Sequence, residues 1–201
     1  MNASAHADLL RALHVPGDPL IVTNVWDAAT ARAVAGAAGV RALATASHSV
    51  SEARGVPDGE GLTVDQALDA AAVIVRAVDI PVSVDFERGY AVDAAGVSAN
   101  VKRLAEAGAA GLNFEDSLDG TTMRPLAEQV DRVAAVRAGA ESAGVPLVIN
   151  ARVDSLRRGE SFEVAVERAN AYLAAGGDAA FVLGLDTPEL VARAGDIRRT
   201  R

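Results

Sequence analysis

Apolar runs rich in Val, Ile and Leu recur along the chain, and between them lie longer Ala-rich stretches whose apolar positions follow the 3.6-residue period of a helix. This alternation predicts βα units and a parallel sheet. Strands are expected at Leu20 to Val25, Val40 to Ser47, Pro81 to Glu87, Ala110 to Asp116, Pro146 to Asp154 and Ala179 to Leu185. Helices are expected at Asp27 to Ala38, Val64 to Val78, Ala94 to Ala107, Leu126 to Ala143, Phe162 to Ala175 and Pro188 to Ala194. The strands recur at roughly thirty-residue spacing, the size of a βα repeat. Thr63, with Gln66 three residues on, and Ser161 before Phe162 read as helix N-caps. Gly39, Gly108, Gly144 and Gly176 stand where helices should stop. No linker or composition break divides the chain, so residues 1–201 read as a single domain. The stretch His48 to Leu62 is non-periodic and too long for an ordinary βα loop, which marks it as functional.

Half of the 201 residues are hydrophobic, enough to bury a sizeable core. The formal charge of -8 disfavours nucleic acid and anionic lipid as partners. The N-terminus lacks a basic region followed by an apolar one, and no run approaches the ~20 apolar residues of a membrane span. No membrane association and a cytoplasmic location are therefore expected. The absence of cysteine excludes disulfides, thiolate metal sites and cysteine catalysis, leaving carboxylates, Arg, His, hydroxyls or a metal.

In a parallel barrel the strand interiors are packed and the carboxyl ends open onto the active site, so polar residues that end apolar strands carry the information. The expected strands run into Asn24-Val25-Trp26-Asp27, Thr45-Ala46-Ser47-His48, Asp85-Phe86-Glu87-Arg88-Gly89-Tyr90, Asn113-Phe114-Glu115-Asp116-Ser117 and Asn150-Ala151-Arg152-Val153-Asp154. Asp85 and Glu87, two apart on a strand, should share a face and need a cation between them. With Glu115 they make an all-oxygen cluster suited to Mg2+ or Mn2+ held by few direct ligands and several waters. The alternative is that these acids are helix caps or partners of Arg88 and Arg152. Arg152, ending a buried strand, should face an anion, either a substrate carboxylate or the side chains of Asp154 or Glu115. Trp26 is open to two readings, core or wall of the site, and His48 reads as a loop histidine or a member of the site. His6 and His14 lie outside any constellation.

At these residues the chain resembles the isocitrate lyase and phosphoenolpyruvate mutase superfamily. The likeness runs through Asn24 to Ala29, Ala44 to Ser47, Gly55 to Gly59, Asp85 to Tyr90, Ala109 to Ser117 and Ile149 to Asp154, in order and mostly at strand ends. The resemblance implies an α/β fold of (β/α)8 TIM-barrel type. It implies Mg2+ coordinated directly by Asp85, and metal-bound waters held by Asp58, Glu87 and Glu115. It further implies that Ser47 and neighbouring loop amides take a substrate carboxylate and that Arg152 neutralises developing negative charge. Asp58, Glu115 and Arg152 are thus the expected catalytic residues, and Trp26, Ser47, His48, Asn150 and Arg152 the expected substrate contacts. The substrate implied is a small 2-oxo or 2-hydroxy acid cleaved at C3 to a pyruvate-like enolate. Tetramers are common in the superfamily, so a homo-oligomer is an expectation too.

Two departures shape the expected function. Isocitrate and methylisocitrate lyases carry a Lys-Lys/Arg-Cys-Gly-His loop after the fourth strand, whereas here Ser117 to Arg124 reads SLDGTTMR with no cysteine. Decarboxylation, which needs mainly an electron sink, is favoured over cysteine-assisted lysis. Cleavage of a phosphorus-carbon bond is the second reading. The other departure is that only six βα units precede the basic tail Gly195 to Arg201, two short of a full barrel. A barrel left silent by that shortfall is the third reading.

Overall fold

The computed structural model describes residues 2–119 and 121–197. The strands β1 (Thr23–Val25), β2 (Leu43–Thr45), β3 (Val82–Asp85), β4 (Gly111–Phe114), β5 (Val148–Val153) and β6 (Ala179–Val182) form one sheet in chain order, every neighbouring pair parallel. Each crossover carries a helix: α2 (Ala28–Ala35), α3 (Ser47–Glu52) with α4 (Val64–Val75), α5 (Ala94–Glu106), α6 (Leu126–Ser142) and α7 (Phe162–Ala174), with α8 (Pro188–Arg193) after β6. Sequential parallel strands with helical crossovers are the wall of a TIM-type barrel. Among the described residues this wall is open, since β1 pairs with β2 alone and β6 with β5 alone. Exposed apolar side chains mark the two edges, Ile21 and Val22 beside β1 and Phe181 in β6.

The caps read from the chain are present. Thr63 makes a reciprocal box with Gln66, and the Ser161 hydroxyl accepts from Val164 N–H. Gly39, Gly108, Gly144 and Gly176 all have positive φ. Several boundaries differ from the expectation. β2 stops at Thr45 because Ser47 begins α3, which occupies the first part of the stretch expected to be a long loop. β3 stops at Asp85 because the backbone turns left-handed at Glu87. Arg198 to Arg201 of the basic tail, and Gly120 in the segment after β4, lie outside the described residues. No described helix is long and apolar enough to cross a membrane.

A helix that the strand-and-helix alternation did not include, α1 (Ala3–Leu13), precedes the sheet. Asn2 caps it by accepting from Ala5 N–H, and its buried face carries His6, Ala7 and Leu10. Leu10 packs with Ala42, Ala110 and Val148 at the amino ends of β2, β4 and β5, so α1 plugs that mouth of the barrel wall. Gly111 permits the approach: a Cβ there would lie 2.7 Å from Val148 O and 2.9 Å from Leu10 Cδ2. Arg11 of α1 pairs with Asp178, which also accepts from Arg137 Nη2 at 2.6 Å and Ile149 N–H at 2.9 Å.

The main core, with Phe86, Leu104, Phe114, Val133 and Ile149, is fully buried. The strand interior differs from the packed layers expected. Asn24, Ser83, Asp85, Asn113, Asn150 and Arg152 line a cavity of about 660 Å³ together with Leu20, Val22 and Phe181. Small and polar residues on this face leave room that bulky aliphatics would fill.

Candidate active site

Strand register builds the site from the inside outward. Asp85 is level with Asn113, and Asn113 with Asn150, on three successive strands. Their side chains form a ladder in which Asn150 Nδ2 donates to Asn113 Oδ1 at 2.9 Å and Asn113 Nδ2 lies 3.4 Å from Asp85 Oδ1. Asp85 Oδ2 accepts from Ser47 N–H at 2.9 Å, the first amide of α3, while Thr45 Oγ1 accepts from Asp85 N–H at 2.9 Å. The carboxylate is therefore fixed at the carboxyl end of β3 by groups from β2, α3 and β4.

Above it, a polar cavity of about 290 Å³ is lined by Ser47, His48, Asp58, Asp85, Glu87, Glu115 and Arg152, with Arg88, Asp154 and Arg158 among its other walls. Seven of the expected site residues are thus brought together. Asn150 lies deeper, in the barrel interior beside Asp85 and Arg152. Trp26 stands apart, partly exposed against Ser49, Glu52 and Ala53. His48 is on the rim, exposed, with Nε2 3.6 Å from Glu52 Oε2.

Glu87 reaches the cavity by a route other than strand alternation. Its φ is 45°, so the chain bends there and delivers a buried carboxylate beside Asp85. One of its oxygens accepts from Tyr90 Oη–H at 2.6 Å and the other from Glu60 N–H at 2.5 Å. Burial raises the Glu87 carboxyl above the usual range, against the pull of these two donors. Burial and the same carboxylate push Tyr90 well above the ordinary tyrosine range, which keeps its hydroxyl a donor.

Arg152 is held on both sides. Its Nε donates to Asp154 Oδ1 at 2.7 Å and Nη2 to Asp154 Oδ2 at 3.1 Å, while Nη1 donates to Glu115 Oε1 at 2.5 Å. Both acids weighed as structural partners for Arg152 are its partners. A guanidinium has five N–H donors, so the fork is fixed with donors to spare. Asp154 is anchored in turn, because its N–H donates to Asp116 Oδ1 at 2.9 Å and Tyr172 Oη–H donates to Asp116 Oδ2 at 2.9 Å. Burial pushes Glu115 up to about 7, the Arg152 charge opposing it and Asp85 and Asp154 adding to it.

The donor set fits a hard divalent ion. Every candidate ligand is a carboxylate oxygen, and among the described residues Asp85 Oδ1 has only its long contact with Asn113. No group of three or more His, Cys, Asp or Glu side chains converges closely enough to hold a metal among the described residues. Two members of the site were missed as individuals, Glu60 and Tyr90. The signal for them was the Gly59-Glu60-Gly61 turn and the Gly89-Tyr90 step after Glu87.

The fold has known relatives. The profile of the phosphoenolpyruvate phosphomutase family matches residues 10–196. The chain belongs to that family, within the isocitrate lyase and phosphoenolpyruvate mutase superfamily. It is 32% identical over 191 residues to the 2-methylisocitrate lyase of Halalkalibacterium halodurans, covering 91% of this chain and 61% of the relative. It is 38% identical over 144 residues to the oxaloacetate decarboxylase of Rhodopseudomonas palustris, covering 69% and 49%. Among solved structures, a phosphonopyruvate hydrolase in complex with oxalate and Mg2+ superposes with a TM-score of 0.84 at 26% identity, covering 96% of this chain and 67% of that one. The chain spans between about half and two thirds of the length of the curated relatives it matches.

Proposed function

We propose that this protein is a Mg2+-dependent carbon-carbon lyase or decarboxylase acting on a small 2-oxo or 2-hydroxy acid through a pyruvate-like enolate. The observation that carries the reading is the juxtaposition, in one cavity, of Asp85, Glu87 and Glu115 with an Arg152 fork already fixed by Asp154. Asp85 would hold the ion directly, and Asp58, Glu87 and Glu115 would hold its waters. When bound, the ion supplies positive charge to a chelating 2-oxo acid.

The remaining work falls to side chains of this chain. Arg152 presents preorganised charge where negative charge develops, and it costs no reorganisation at that moment because Asp154 and Glu115 hold it. Ser47 and the amides opening α3 lie beside Asp85, where they would orient a substrate carboxylate. Asn150 and Asn113 are placed to fix the reacting end from the barrel interior. Decarboxylation is favoured over cysteine-assisted lysis because the chain contains no cysteine. The decarboxylase among its relatives supports the same choice.

Cleavage of a phosphorus-carbon bond is a second reading, supported by likeness to the phosphoenolpyruvate phosphomutase of Streptomyces hygroscopicus and to the hydrolase structure. Pyruvate release from oxaloacetate, a 2-methylmalate-type acid and phosphonopyruvate, each with Mg2+ and with Mn2+, separates the two. Carbon-carbon substrates are expected to yield pyruvate and phosphonopyruvate to stay unchanged in phosphorus NMR spectra; release of phosphate from it, or its conversion to phosphoenolpyruvate, without turnover of the carbon-carbon substrates would transfer the protein to the second reading. Thermal unfolding tests the site without turnover. Mg2+ plus oxalate at about 100 times its dissociation constant should stabilise the native state by about 2.7 kcal/mol, and no shift at all would remove the metal-dependent reading.

A further inference from the structure

Three non-glycine residues among those described have a positive φ: Glu60 at 64°, Glu87 at 45° and Tyr90 at 53°. Such a backbone costs a side-chain-bearing residue on the order of 1–3 kcal/mol, and it persists where surrounding contacts over-determine it. All three belong to one hydrogen-bond network. Glu60 N–H and Tyr90 Oη–H both donate to the Glu87 carboxylate, and Tyr90 N–H donates back to Glu60 Oε1 at 2.8 Å. Arg88 adds a bond from Nη2 to Gly59 O at 2.8 Å and lies 3.4 Å from Glu60 Oε2. Beneath the turn the buried Arg132 donates to the carbonyls of Arg88, Ala91 and Val92 at 2.6, 3.0 and 3.0 Å.

The two sides of this network are anchored differently. The Glu87–Tyr90 side is nailed to the core through Arg132. The other side is the tip of the segment between α3 and α4, and it carries Asp58, which is exposed. Within that tip the chain doubles back so tightly that a Cβ on Gly61 would lie 2.0 Å from Pro57 O. Asp58 and Glu60 therefore share one tight turn, whose flanking Val56 and Leu62 pack with Val50, Ala70 and Tyr90. Whatever fixes Glu60 fixes Asp58 over the cavity.

We infer that Glu60 is a positioning residue, a latch that fastens the Asp58-bearing turn to the Glu87–Tyr90 turn at the mouth of the site. Its effect on catalysis rests on the functional reading above; the latch itself rests on the contacts alone. The inference assigns Glu60 no contact with substrate.

Trypsin cleavage after Arg54, the exposed arginine at the base of the segment, measures release of the latch in the native protein. Glu60→Gly removes the side chain and, at a positive φ, adds no backbone penalty, so the fold is kept. It should be nicked after Arg54 about tenfold faster than wild type while its Tm stays within about 3 °C. Glu60→Gln keeps an oxygen for Tyr90 N–H and should be nicked within about threefold of the wild-type rate. With oxaloacetate, Glu60→Gly should lower kcat by about tenfold or more and change KM by less than about threefold, because Asp58 is displaced from the reacting end rather than from the binding groups. A wild-type cleavage rate in Glu60→Gly overturns the latch, as does acceleration matched by a general fall in Tm. Faster nicking in Glu60→Gly alongside a wild-type protein that turns over no 2-oxo acid upholds the latch and removes the lyase reading.

Discussion

Arg152 shows how one side chain joins packing to chemistry. It ends an apolar strand, its charge is balanced by Asp154 and Glu115, and its orientation is set by a bidentate pairing. Lysine keeps the charge without the planar fork, so Arg152→Lys should lower kcat/KM by about a hundredfold, read from steady-state pyruvate release. Arg152→Met leaves both acids without their partner and should cost about 3 kcal/mol in urea unfolding; an unchanged midpoint would show that the pair is not coupled to folding. The residues that made this site legible in the chain were those that interrupt hydrophobic runs: Asp85, Glu115, Asn150 and Arg152. Glu87 was legible as a member but not in its route, because two-residue alternation applies only while a strand continues. Glu60 and Arg132 were not legible. Their partners lie 27 to 44 positions away, and the flanking glycines mark a turn at Glu60 without saying what its side chain meets.

At the scale of elements, period and punctuation placed the six strands and their crossover helices in the right order, and the Thr63 and Ser161 caps fell where expected. What they did not place was α1. Its Leu10 and Leu13 have a role only once there is a barrel mouth to plug, and α3 was hidden in the same way by its Ser-rich start. Leu10→Ala should therefore behave as a core truncation and cost about 2–5 kcal/mol, measured by denaturant midpoint. Contact between α5 and α6 offers a second test. A Cβ on Gly139 would lie 2.4 Å from Ser98 O, too close for either backbone to hold its place. Gly139→Ala should force the helices apart and cost about 1–3 kcal/mol, in spite of alanine's better helix propensity; a stabilised variant would contradict the packing described.

Across the described residues α1 is tied to the segment that leads into β6. Asp178 sits just before β6 and collects Arg11 from α1, Arg137 from α6 and the Ile149 amide. Burial works to raise its pKa, yet the Arg11 bond, the amide and the two cations together hold it below the usual carboxylate range. A depressed folded-state value means that Asp178 contributes stability in full above its ordinary 3.8 and loses it as the pH falls through the lower folded value. Asp178→Asn should cost about 2–3 kcal/mol at neutral pH, and the gap from wild type should close only in strong acid. A gap that opened on acidification would reverse the assignment.

The same tie spans 167 positions of the chain. The Arg11–Asp178 pair can therefore form only after the segment before β6 has joined the sheet, which makes it one of the longest-range contacts the chain has to close. Leu10 likewise completes its packing only when Val148 of β5 arrives, so closure of this mouth belongs to the slow, non-local part of folding.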